Sequence, residues 1–369
     1  MFRYFLVLLS ALACCSHNRA VAQIKMQVAD SVVRYGNIEL MRYRVGLELN
    51  ARAGAVRDVL ATIPVPLVCP EQEVTLIEED FSSTVGSHDY RTLPGQLARQ
   101  LLVNIPHLAN KAEAHALLTF EVRTRVILPP ENTSELVIPK KVPRELKRYL
   151  GKSPYIETKH SKFKKIIRKI FTELKVPTAD ASESASDDKT DEKTDGQPGD
   201  KSVAEATAKP AQPAPLTDWQ RVKAIYDHVQ DAILYKEQPD KSSLATLKDG
   251  HGDCQNISVL FVALCRTAKI PARLVWVHQH VYSEFCLADA EGKLHWFPCE
   301  TSGGRSTDGT LGTRAFGEMP TPRVIMQKGD NFKVPEQRKS LRYAAEYMIA
   351  LPAQAGGGKP RHKFIREQL

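Results

Sequence analysis

Cys254 stands where a cysteine can do chemistry. It lies in the stretch Gly250-His251-Gly252-Asp253-Cys254-Gln255-Asn256. Ile257, Leu260, Phe261, Leu264 and Ala268 follow at three- and four-residue intervals, the apolar face of a helix. Pro271 disfavours helical geometry at Ile270, so that helix is expected to end near Lys269. Gly250 and Gly252 permit a tight turn into it, and Gly252 or Asp253 can serve as its N-cap. Cys254 is then in the first turn, where free backbone N–H groups and the helix dipole favour an anion. The thiolate is the nucleophilic form of cysteine. Asp253 opposes that charge, so a base is still required.

His280 begins a strand-like run through Phe285, and a turn at Asp289-Ala290-Glu291-Gly292 leads to a second run from Leu294 to Thr301. Side chains on a strand alternate faces with period two. If the turn pairs Ala288 with Gly292, His280 lies opposite Glu300 on one face. Directly opposed residues have Cβ atoms ~4.5–5.5 Å apart, within reach of a carboxylate–imidazole hydrogen bond. If Asp289 pairs with Gly292 instead, Glu300 turns to the other face. A hydrogen bond between His280 and Glu300 therefore requires the odd-length turn.

Taken together these residues resemble a family. Gly-Asp-Cys at a helix start, then Ile270-Pro271-Ala272-Arg273, His280-x-Tyr282-x-Glu284 and Trp296-x-Pro298-x-Glu300 are similar to the bacterial transglutaminase-like family. The similarity runs from about Trp219 to Thr301. It implies a papain-like core with a Cys-His-Asp triad, in which Cys254 is the nucleophile, His280 the base and Glu300 stands where the family usually has Asp. The implied chemistry is acyl transfer or amide hydrolysis on a protein or peptide through a thioester, with no cofactor. A non-catalytic binding or scaffold protein on the same fold is the rival reading. Cys254 and His280 favour the enzyme, and Glu300 in place of Asp favours the scaffold.

The rest of the chain must position this region. Its 369 residues are enough for two domains. Residues 1–22 read as an export signal: Arg3, an apolar run from Phe5 to Ala13 and the small-x-small site Ala20-Val21-Ala22. Cleavage is expected near Ala22, leaving a periplasmic or extracellular chain with no membrane span, because the apolar run is too short to cross a bilayer. Cys69, Cys254, Cys265, Cys286 and Cys299 then remain. An odd count in an exported protein points to a free thiol, which is assigned to Cys254. Cys254 and Cys265 are eleven positions apart on one helix, ~16 Å, and cannot share a metal ion. No Cys-x-x-Cys occurs either, so no zinc site is expected.

From residue 24 to 135 the pattern is strand-like. Met41, Tyr43, Val45, Leu47 and Leu49 alternate with polar residues, as do Phe120, Val122, Val126 and Leu128. Proline-punctuated strands of this kind predict an antiparallel β-sandwich. Residues 136–177 form a basic helical segment leading into the core, with thirteen Lys/Arg against three acids between Lys140 and Lys175. No nucleic-acid recognition motif accompanies that charge. An exposed helix face is expected, with an anionic cell-surface polymer as the partner such a face could meet. Residues 178–216 carry no apolar periodicity and read as a disordered acidic, Pro/Ala-rich linker. The transglutaminase-like domain is assigned to 217–350, with late strands at Val324–Met326 and Tyr343–Ile349 completing its core. A flexible basic tail is assigned to 351–369. The fold class is α+β: a β-sandwich-like domain, then a papain-like transglutaminase core.

Overall fold

In the computed structural model, residues 32–95, 97–173, 216–355 and 357–369 are described. The stretch expected to be an export signal and all but the last residue of the expected acidic linker lie outside them. Six strands come first: β1 Arg34–Asn50, β2 Val56–Val65, β3 Gln72–Phe81, β4 Ser87–Thr92, β5 Arg99–Leu108 and β6 Glu113–Leu128. Helix α1 spans Ser161–Glu173 and α2 Asp218–Ala232. The short strand β7 Leu234–Tyr235, helix α3 Ser243–Asp249 and short strand β8 His251–Gly252 lead to α4 Cys254–Thr267. Strands β9 Ala272–Val277, β10 His280–Ala288, β11 Leu294–Glu300, β12 Ala315–Phe316, β13 Ile325–Lys328, β14 Tyr347–Pro352 and β15 Arg361–Gln368 complete the chain.

The N-terminal strands form two four-stranded antiparallel sheets, ordered β15-β1-β6-β3 and β14-β2-β5-β4. Alternation along the strands gives each sheet one apolar face. Tyr43, Val45 and Leu47 from the first sheet share a buried core with Ala61, Ile63 and Val103 from the second. The predicted sandwich is present, but its membership differs from the expectation. Strand β14 pairs with β2 and β15 pairs with β1. The late strand expected to finish the catalytic core therefore belongs to the sandwich instead, and the tail expected to be flexible is a paired strand. The sequence hides β15 because only Phe364 and Ile365 are apolar in Arg361–Gln368. Its order comes from the otherwise unpaired edge of β1, whose backbone groups supply the ladder.

Helix α4 is the axis of the second core. An amphipathic helix was expected, yet every residue from Asn256 to Arg266 is buried. The reason is that α4 is covered on several sides, by α1, α2, α3 and the sheet ordered β12-β11-β10-β9-β13. Arg266, buried among them, is paired with Asp330 at 2.6 Å and also donates to the Ala272 and Gly151 carbonyls. Helix α1 buries Phe163, Ile167 and Ile170 and leaves its lysines exposed, as its spacing predicts. Helix α2 begins at a capping box, in which the Thr217 hydroxyl accepts from the Gln220 N–H and the Gln220 side chain accepts from the Thr217 N–H.

Candidate active site

The glycines before Cys254 have different reasons to be there. Gly250 ends α3 in the left-handed region, at φ 71°, which favours glycine. Gly252 is needed for space, since a Cβ there would come within 2.7 Å of the Asn256 Cβ. Asp253 is the N-cap of α4, its carboxylate accepting from the Asn256 N–H at 2.8 Å. Burial pushes the Asp253 carboxyl above its ordinary range. Asn256 is itself fully buried. Its side chain accepts from the Lys241 N–H at 2.9 Å and donates to the Pro239 carbonyl at 3.3 Å. Those bonds tie the preceding loop to the first turn of α4 and so fix where Cys254 stands.

His280 opens β10 directly after a tight turn from β9, where it pairs with Val277. Its Nε2 lies 2.7 Å from Glu300 Oε2, and the ring lines the same cleft as Cys254. With Nε2 taken by the carboxylate, Nδ1 is the nitrogen left for the thiol. Burial works against protonation of His280. The neighbouring Cys254 and the Glu300 carboxylate outweigh it and raise the imidazole to about 9. Glu300 is fixed on its second oxygen too, which accepts from the Ser302 N–H at 3.1 Å and the Ser302 hydroxyl at 2.7 Å. Burial pushes its carboxyl up, but His280 and Ser302 together hold it below its ordinary range.

The route to this contact differs from the one expected. Ala288 pairs with Leu294, not Gly292, and the last rung is Ser283 with Cys299. The turn is still odd in length, so His280 and Glu300 share a face. They are now diagonal neighbours, with Glu300 displaced toward the Tyr282 position. Diagonal Cβ atoms stand roughly 7–8 Å apart, a span for which the extra methylene of Glu is suited. The main chain of Glu300 is also held, because Tyr226 Oη and Gln230 Nε2 each donate to its carbonyl at 2.9 Å. Ser258 on α4 meets Thr301 at 2.7 Å, which couples the Cys254 helix to the Glu300 strand.

Other motif residues prove to be struts. Arg273 and Glu284 face each other across β9 and β10 and pair at 2.6 Å, with Trp296 stacked over the guanidinium at 3.9 Å. Lys328 joins them, 3.0 Å from Glu284 and 2.7 Å from Glu71 of the sandwich. Burial opposes the Lys328 charge, but the two carboxylates outweigh it and raise the ammonium group above its ordinary value.

The odd-cysteine reasoning is corrected. All five cysteines of the described residues are free, so parity does not single out Cys254. Cys265, Cys286 and Cys299 are buried, and burial pushes their thiols up, Cys286 to about 12. They behave as small hydrophobes in the core. Cys69 is partly exposed, yet desolvation also raises it to about 12.

The His280 ring separates two spaces. On one side a cleft of about 500 Å³ contains Cys254, Gln255, Trp276 and Arg342 in its wall. On the other a cavity of about 110 Å³ is lined by His280 and Glu300 together with Glu71, Thr124 and Ile127 of the sandwich. The sandwich therefore borders the site. Tyr235, not foreseen from the sequence, pairs with Gly252 where β7 runs parallel to β8. Burial first, then the neighbouring Cys254, raises its phenol. No spacing rule connects positions 235 and 254, and only the strand pairing brings them together.

Cys254 at the start of a buried helix, His280 on the adjacent antiparallel sheet and Glu300 on the next strand follow the order that the sequence resemblance implies. Residues 201–301 match the core model of the transglutaminase-like superfamily, and the chain carries a domain of that superfamily. A crystal structure of a proposed cysteine protease from Cytophaga hutchinsonii shares the fold at 13% identity and a TM-score of 0.50, covering 91% of this chain and 92% of that one. The periplasmic domain of TgpA from Pseudomonas aeruginosa is 13% identical with a TM-score of 0.31, over 75% of this chain and 98% of that one. No curated protein matches the chain.

Proposed function

We propose that this protein is a thiol-dependent acyltransferase or amide hydrolase acting on a protein or peptide. One observation carries the reading: Cys254 at a helix start shares a cleft with His280, whose far ring nitrogen is hydrogen-bonded to Glu300. The Cys254 thiolate attacks the carbonyl carbon of an amide, and the oxygen becomes an oxyanion. The C–N bond then breaks as His280 gives its proton to the leaving amine, which leaves a thioester on Cys254. Water or a second amine attacks the thioester, His280 takes up its proton, and Cys254 leaves as the thiolate. Water gives hydrolysis, and an amine gives a new amide. Glu300 keeps the imidazole oriented and stabilises its cation. The N-terminal stretch that reads as an export signal supports a site of action outside the cytoplasm. Purified protein assayed against glutamine-containing peptides with an amine probe tests the reading. The absence of both ammonia release and probe incorporation would sink it.

Two measurements follow from the geometry. The raised imidazole predicts a basic limb of kcat/KM near pH 9, because His280 must carry the proton that it donates. The sign is the same for stability. The folded value lies above the ordinary 6.5, so the His280 contribution is fully present below about 6.5 and is lost as pH rises through about 9. Glu300→Gln is expected to move the limb to lower pH and to cut kcat on the order of 10²-fold or more. A limb that stays put in the variant excludes Glu300 as the orienting group.

Tyr235 is assigned as the second oxyanion donor, beside the Cys254 backbone N–H. Tyr235→Phe keeps the ring and removes only the hydroxyl. Its expected effect is a fall in kcat of about 10²- to 10³-fold with little change in KM. A variant with wild-type kcat would remove the residue from the mechanism.

A further inference from the structure

The cleft beside Cys254 holds an arginine whose bonding is incomplete. Arg342 is 8% exposed and forms part of the wall that also contains Cys254 and His280. One amino group, Nη2, donates to Asp240 and, at 2.5 Å, to Gln255, the residue next to Cys254. The other, Nη1, is buried with no hydrogen-bond partner among the described residues. The guanidinium carbon lies 4.4 Å from the centre of the Tyr155 ring and 5.4 Å from the centre of the Trp276 ring. A buried cationic donor without a partner is costly, and a planar guanidinium anchored on one edge is built to take a carboxylate on the other.

The surrounding charges leave that capacity unspent. Asp240 occupies Nη2, and the Asp253 carboxylate is engaged with the first turn of α4. Arg366 also lines the cleft, its Nε 3.1 Å from Glu346. Sequence reading missed Arg342 because it lies on the connection between the core and the sandwich strands, far from any motif.

Building on the acyl-transfer reading, we propose that Arg342 is a specificity-determining residue that holds a carboxylate of the acyl-donor peptide beside Cys254. The substrate class is a peptide bearing a negative charge close to the amide that is cleaved, either a free C-terminal carboxylate or an acidic side chain.

Alkylation of Cys254 tests this without knowledge of the substrate. Full-length protein is treated with iodoacetate, which carries the carboxylate, or iodoacetamide, which does not, and Cys254 is followed by peptide mass mapping. Protonated His280 also attracts iodoacetate, so the informative quantity is the change in the rate ratio between variants. Arg342→Gln should lower the iodoacetate-to-iodoacetamide ratio on the order of tenfold. Asp240→Asn, which removes the negative charge paired with Nη2, should raise it, and this variant decides the matter if Arg342→Gln does not fold. Unchanged ratios overturn the proposal.

Chloroacetyl probes then separate the two sources. Chloroacetyl-glycine is compared with its amide, and chloroacetyl-aspartic acid α-amide with the asparagine analogue. The acid whose advantage disappears in Arg342→Gln names the source, and loss in neither pair again overturns the proposal. If wild-type Cys254 reacts no faster with iodoacetamide than glutathione does, the thiol reading fails on its own, separately from the ratio.

Discussion

Cys254→Ala is expected to abolish thiol-dependent activity, by about 10⁴-fold or more, while leaving the fold nearly intact. The loss is large because no other group described here can replace the thiol. His280 and Glu300 would remain hydrogen-bonded with nothing to activate, and the chemical step would lose its covalent intermediate. The fold is spared because Cys254 is only partly buried at the first position of α4. The helix is capped by Asp253 and anchored by Asn256, and neither bond involves the thiol. A stability change below ~1 kcal/mol is therefore expected. Activity and urea denaturation measured on the same preparation check both halves. A variant that retains most of the activity would exclude Cys254 as nucleophile and shift the reading to a binding or scaffold role.

The second large effect is on stability. Glu284→Ala is expected to cost about 3–5 kcal/mol, since it removes one partner from a buried charge cluster. Glu284 is 1% exposed, and it binds Arg273 through one carboxylate oxygen and Lys328 through the other. Without it two buried cations would share Glu71 alone. The cluster spans β9, β10 and β13 and reaches Glu71 in the sandwich, so its loss should loosen the seam between core and sandwich. His280 begins the same strand four residues earlier, and activity should fall along with stability. The shift in the urea midpoint measures the effect. A loss below ~1 kcal/mol would show that the cluster relaxes or hydrates at little cost.

These two residues were read from the sequence with different success. Cys254, with its glycines and its helix, was legible because capping and helix-start chemistry depend on neighbours in the chain. Glu284 was visible only as part of a pattern. Its work as a buried counter-ion depends on Arg273 across the hairpin and on Lys328 more than forty positions away.

Local rules determined much of this protein from the sequence alone: the strand alternation of β1 and β6, the apolar face of α1, and the place of Cys254 at the start of α4. They also determined that His280 and Glu300 would share a face, because the parity of a hairpin survives an error in its register. Tertiary structure decided what those rules do not reach. It set the hairpin register, which made His280 and Glu300 diagonal neighbours and gave the long Glu side chain its fit. It recruited β14 and β15 to the sandwich, because open strand edges accept segments that their own composition would leave unpaired. It buried α4 on all sides, placed Ser302 on the second oxygen of Glu300, and brought Tyr235 and Arg342 to the site. Each of these is a contact between residues distant in the chain, where no period or spacing carries the information and only the packing of backbone and side chains selects the partner.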